Sequence, residues 1–137
     1  MAKEKTNPAE EQAQIATEVF ASEVNIPLEV REEINAKAEE LKKKSGLKKV
    51  FVIVVNGDES DQKPLYIGYF RRPNLMEFSR YMSFVQKDIV QANKMLAGDT
   101  WLTGDKELVD DDELFLYGTM QQLGSLIDSR NAAMLKR

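Results

Sequence analysis

From Leu75 to Leu96 the apolar residues Leu75, Phe78, Met82, Val85, Ile89, Ala92 and Leu96 return at alternating intervals of three and four. That is the period of one face of an α-helix. No other stretch is so regular, and it constrains the fold more than any other. It predicts a helix of about six turns whose apolar face is widened by Tyr81, Phe84 and Met95 beyond the narrow seam of a coiled coil. Arg71-Arg72-Pro73 breaks the segment before it, Asn74 with Glu77 three residues on makes a capping box at its start, and Gly98 stands at its end.

The remaining elements arrange themselves around that helix. Pro27 to Ser45 predicts a helix with Asn25 as its cap, Val30, Ile34, Ala38 and Leu41 on one side, glutamates early, lysines late and Gly46 as its stop. Lys48 to Val55 predicts a strand buried on both faces, and Pro64 to Phe70 a second one, with Leu65, Ile67 and Tyr69 pointing one way and Tyr66, Gly68 and Phe70 the other. The polar segment 56–63 joins them as a hairpin. After Gly98, residues 99–105 form a loop whose Trp101 and Leu102 return to the core. A last helix starts at Asp110 or Asp111 and carries Leu116, Met120, Leu123, Ile127 and Met134 on one side. Its Gly118 and Gly124 each cost about 1 kcal/mol against alanine, which close packing against the Leu75–Leu96 helix accounts for.

Residues 1–25 have no sustained apolar period and read as a mobile N-terminal tail. Within it Ile15, Val19 and Phe20 stand at helical spacing, either as an amphipathic segment that orders in a partner's groove or as a frayed helix on its own domain. The expected fold is therefore α+β: a two-stranded antiparallel hairpin packed on a mainly helical single domain, residues 26–137, with two long antiparallel C-terminal helices. A lone hairpin is marginal in water, so it must lie on the helices or be extended by a strand of another chain.

Among the 137 residues there is no cysteine and no histidine, which removes disulfides, thiolate nucleophiles, Ser-His-Asp triads and typical zinc sites. Most enzyme chemistry at neutral pH is disfavoured on that ground. The longest apolar run, Val50 to Val55, falls far short of the roughly 20 residues that cross a bilayer, and Met1 to Thr6 lacks the apolar core of a secretory signal. The acidic run Asp105, Glu107, Asp110, Asp111, Asp112 and Glu113 offers oxygen ligands for a divalent cation but lacks EF-hand spacing. Helix capping is the better account of it, with Arg71 and Arg72 as its possible ion-pair partners. Lys42, Lys43, Lys44, Lys48 and Lys49 make a basic stretch, yet a sequence pI of about 5.0 and a net charge of -4 speak against nucleic acid as the partner. Tyr66, Tyr69 and Phe70 beside Arg71-Arg72 either stack a ligand on the sheet or are half-buried strand positions over a helix.

The C-terminal two thirds carries a resemblance. Gly68-Tyr69-Phe70-Arg71-Arg72-Pro73, Ala92-Asn93-Lys94-Met95-Leu96, Thr100-Trp101-Leu102-Thr103-Gly104-Asp105 and Asp110-Asp111-Asp112-Glu113-Leu114-Phe115-Leu116, in that order, resemble the small tail assembly chaperone-like proteins of bacteriophages and prophages. Thr103 departs from the pattern, standing where a glycine is expected. The resemblance spans about residues 48 to 137. It implies a non-enzymatic protein of the infected bacterial cytoplasm that binds a long helical tail protein, the tape measure protein, and helps bring tail tube subunits to it, without cofactor or membrane. The candidate partner contacts are Ile15, Val19 and Phe20 in the N-terminal segment and Tyr66, Tyr69, Arg71 and Arg72 on the hairpin, with homo-oligomers also allowed. The alternatives are a small structural or cargo protein of the phage particle, or a nucleic-acid-associated regulator.

Overall fold

The computed structural model describes residues 17–20, 26–124 and 126–127. The fold is α+β. Strands β1 (Thr17–Phe20), β2 (Val50–Asn56), β3 (Leu65–Phe70) and β4 (Trp101–Gly104) form one sheet in that order, with β2–β3 and β3–β4 antiparallel and β1 parallel to β2. The hairpin, expected as a two-stranded sheet, is thus the centre of a four-stranded one. β2 is apolar along almost its whole length and needs ladder partners on both edges, because its backbone groups have no water to turn to. Of residues 1–25, expected as a tail, residues 1–16 and 21–25 lie outside the described residues. Thr17–Phe20 is strand, so the helical spacing of Val19 and Phe20 does not govern them.

The sheet is the middle of three layers. Helix α1 (Leu28–Ser45) covers one face, where Ile34 and Ala38 meet Val50, Val52, Val54 and Tyr69. Gly46, at φ 69°, closes α1 in the left-handed conformation and donates its N–H to the Lys42 carbonyl. On the other face Phe51, Ile53 and Phe70 meet Leu96, Phe115, Leu123 and Leu126 from the later helices. The alternation read along the second strand holds: Leu65, Ile67 and Tyr69 join the α1 side and Phe70 the opposite one. The 99–105 segment is not a plain loop. Phe70 pairs with Trp101 and Tyr69 with Thr103, leaving Leu102 as an extra residue; Trp101 packs edge-on to Phe70 while Leu102 joins the α1 side.

The six-turn helix is broken. It consists of α2 (Leu75–Val85) and α3 (Ile89–Thr100), separated at Gln86–Asp88. The N–H groups of Lys87 and Asp88 both turn back to the Phe84 carbonyl, and the Asp88 carboxylate accepts from the Gln91 N–H at 3.0 Å as the cap of a new helix. An aspartate that satisfies the backbone itself competes with helix continuation, and the apolar stripe carries no signal of it. Beyond the short α4 (Glu107–Asp110), the chain enters α5 (Asp112–Leu114) and runs straight on into a π-helical stretch, Phe115–Thr119, and further helix at 120–124. Asp111 caps it, accepting from Glu113 N–H and Leu114 N–H. The fully buried ridge of this last helix is Phe115, Thr119, Leu123 and Leu126, one position away from Leu116 at its start. Met134 lies outside the described residues, and among those described the first of the two long C-terminal helices is divided at Gln86–Asp88.

Candidate protein-interaction surface

Helix α2 is the anomaly of the fold. Its sequence is mostly apolar, yet none of its residues is buried. Phe78, Tyr81, Phe84 and Val85 are half-buried, Tyr81 against the main core, while Leu75 (79%), Met76 (81%) and Met82 (51%) face solvent. Ile89, the next residue of the stripe, is 55% exposed. The break at Asp88 is the cause. Ala92 and Leu96 sink into the core on α3, and the first half of the same stripe is turned outward with no layer over it among the described residues.

The start of α2 is anchored by charge. Asn74 accepts from the Glu77 N–H at 2.8 Å, and the Glu77 carboxylate accepts from the Asn74 N–H at 2.9 Å, which completes the expected capping box. Arg71 then grips Glu77 with both arms of its guanidinium and donates a further bond to the Asp99 carbonyl at 2.6 Å. Its hydrogen bond holds the Glu77 carboxyl below the usual carboxylate range, against the opposite pull of burial. Beside this anchor, Arg72, Pro73, Leu75, Phe78, Leu126 and Ile127 line an apolar groove of about 250 Å³.

Of the sequence-derived contact residues, Ile15 lies outside the described residues, and Val19 and Phe20 pair with Val52 and Ile53 along the edge of the sheet. Tyr66 and Tyr69 are buried within the chain's own core and offer no surface to a partner. Strand alternation against two covered faces leaves them no way out. Arg71 is spent on Glu77 rather than on the acidic run. Arg72 lines a groove, its guanidinium 5.3 Å from the centre of the Phe51 ring. The exposed half of α2 escaped sequence reasoning, because periodicity reports an apolar face and not whether that face finds a cover.

The acidic run is dispersed among separate tasks. Asp105 accepts from the Lys63 ammonium at 2.7 Å and from the Ile67 N–H at 2.9 Å, pinning the hairpin to β4. Asp112 pairs with Lys94 at 2.7 Å and Asp110 with Lys106 at 3.6 Å. Among the described residues no cluster of carboxylates is arranged to hold a metal ion, and no helix is long and apolar enough to cross a membrane.

A second concavity lies at the opposite end of β2, floored by Val55 and Gly118 and bordered by Asn56, Tyr117, Gln121 and Gln122, with a volume of about 300 Å³. Gly118 explains its form. A Cβ there would stand 2.6 Å from a methyl of Val55, so the helix comes down on the strand at this point, and not on the Leu75–Leu96 segment as the glycine suggested. The π-helical stretch around it leaves Tyr117 80% exposed. Asp58, Asp61 and Glu113 line the adjoining cleft. Compared with family models, with curated proteins and with solved structures, the chain matches none.

Proposed function

We propose that the protein is a non-enzymatic assembly factor that holds an amphipathic helix of a larger protein against the outer face of α2. The observation that carries this reading is a single one: an apolar helix with no buried residue, fixed at its start by Arg71, Glu77 and Asn74. Partner helices bind such faces through anchors at intervals of three and four, and here they meet the exposed Met82 and half-buried Val85 of α2 and the exposed Ile89 that opens α3. Methionine suits the task because its unbranched side chain adapts to different partners.

The resemblance of residues 48–137 to phage tail assembly chaperones gives this activity a setting: the cytoplasm of an infected bacterium, a long helical tape measure protein as partner, and recruitment of tail tube subunits. The test is light scattering of the full chain mixed with helical fragments of such a tail protein. A complex heavier than the free chain, lost in Met82→Lys and Ile89→Lys, is the expected result. A chain that binds no fragment, and is instead found at fixed copy number in purified particles, is a structural component and not a chaperone.

A further inference from the structure

Asp88 divides the most regular apolar series of the chain. From Leu75 to Ala97 there is neither glycine nor proline, and Gln86, the residue after α2, is still helical at φ -76° and ψ -24°. Asp88 is extended, at φ -152° and ψ 95°, and its carboxylate takes the Gln91 N–H that a continuous helix would give to the Lys87 carbonyl. The Ala92 N–H already reaches the Asp88 carbonyl at 2.9 Å, as it would in an unbroken helix. Straightened at this point, residues 75–100 make one helix about 39 Å long. Along it Leu75, Met82, Ile89 and Leu96 recur every seven residues, with Phe78, Val85 and Ala92 between them. That is the seam by which two helices pack on each other. Leu96 is in the core, and the other three members of the seven-residue series are the ones left in solvent.

Across the short Gln86–Asp88 connection α2 and α3 lie against each other, with the Arg80 guanidinium on the Asp99 carboxylate. The contacts that tie the chain before this point to the chain after it include the β3–β4 ladder, Phe70 edge-on to Trp101, Arg71 on the Asp99 carbonyl and the Arg80–Asp99 pair. A second copy offers every one of them equally well. A short connection between helices whose sequence favours continuity is a hinge at which two chains trade halves at little cost.

We infer that two copies of this chain exchange halves at Gln86–Asp88. In each copy α2 and α3 join into one helix, the residues before the hinge pack on the residues after the hinge of the other copy, and Met82, Val85 and Ile89 of the two helices meet beside the two-fold axis. The dimer regains the helical hydrogen bonds lost at the break and covers the exposed members of the series nearest the hinge, while giving up the Asp88 cap. Because it remakes the chain's own contacts, it needs no second protein, and it stands or falls separately from the partner-helix reading.

The experiment unfolds the full chain in urea, refolds it at low and high concentration, and reads its mass by size-exclusion chromatography with light scattering. The expected result is a single chain of 15.6 kDa from dilute refolding and twice that mass from concentrated refolding. The dimer persists on dilution, because separating exchanged halves requires unfolding. Asp88→Ala removes the cap from the single chain and suits the continuous helix, so with two hinges in each dimer it lowers the dissociation constant about thirtyfold or more. Asp88→Gly, an acceptable cap but a poor residue inside a helix, leaves it near that of the unaltered chain. Arg80→Asp and Asp99→Arg distinguish exchange from an ordinary pairing of whole chains. Each sets like charges together within one chain, and only an exchanged pair with one chain of each variant sets opposite charges together at both contacts. Refolded together, these two variants give more mixed dimers than random pairing yields, with circular dichroism confirming that each is folded. Random pairing of the two overturns the inference. So does equal dimerisation of Asp88→Ala and Asp88→Gly, or a single-chain mass at every refolding concentration in both the unaltered chain and Asp88→Ala.

Discussion

Arg71 and Glu77 meet fork to fork, Nη1 to Oε1 at 2.9 Å and Nη2 to Oε2 at 2.8 Å, and the same carboxylate closes the capping box with Asn74. One side chain therefore fastens α2 to the end of β3 and begins the helix. Glu77→Gln should cost about 1.5–3 kcal/mol in urea unfolding, and Arg71→Lys less, since lysine keeps the charge but loses the paired geometry.

The same pair sets an acid sensitivity. Because Arg71 lowers the Glu77 pKa in the folded chain, the contribution is complete above the ordinary glutamate value of about 4.3 and is lost as pH falls through the lower folded value. The unfolding midpoints of the unaltered chain and Glu77→Gln should converge as the pH is taken below that range. A gap that stays constant into strong acid would show that the bridge is not its source.

Tyr69 predicts a change at the other end of the scale. Burial, aided by the charges of Glu33 and Asp105, pushes its phenol up to about 12. A raised pKa means the folded state holds the proton more tightly. The stabilisation is whole below the unfolded value of about 10 and disappears as pH rises through 12. Tyr69→Phe should accordingly gain on the unaltered chain in thermal unfolding between pH 10 and 12.

At Gly118 the expected effect is steric. A methyl group would collide with the Val55 side chain, and overpacking of this kind costs about 1–3 kcal/mol. Gly118→Ala should lose that much in chemical unfolding despite the higher helix propensity of alanine. Val55→Ala combined with it should return part of the loss, which a propensity effect alone would not allow.

On the outer face of α2 and at the exposed start of α3 the expectation is reversed. Met82→Lys and Ile89→Lys exchange exposed apolar groups for charge and should shift stability by no more than about 0.5 kcal/mol, while abolishing capture of a partner helix. Loss of fold in either variant would mean that the face is covered from within the chain.

What the sequence discloses is local. The Asn74–Glu77 box, the alternation of Leu65, Ile67 and Tyr69 against Phe70, the doubly buried β2 and the cap at Asp111 each depend on residues a few positions apart, and each is present. The break after Val85 is not legible, because neither glycine nor proline marks it and the three-four rhythm runs through it unaltered. Thr17–Phe20 and Trp101–Gly104 are strands only because β2 and β3 have edges to fill, a requirement set by chain far away in sequence. Tyr66 and Tyr69, attractive beside two arginines, are enclosed once helices cover both faces of the sheet. The exposure of Tyr117 follows from Gly118 meeting Val55, again a contact between distant segments.

The freedom from burial that makes α2 a docking face also sets how it fluctuates. Opening α2 pulls no fully buried side chain of its own from the core and requires the Arg71–Glu77 and Arg80–Asp99 bridges and the half-covered Phe78, Tyr81, Phe84 and Val85 to let go. Its amide protons should then exchange with solvent through a partial opening, at a free energy below that of global unfolding, while those of Phe51 to Val54 wait for the whole domain to come apart. A ligand that closes over α2 would slow the first class of exchange and leave the second untouched, so occupancy of the face can be read from the chain's own hydrogens.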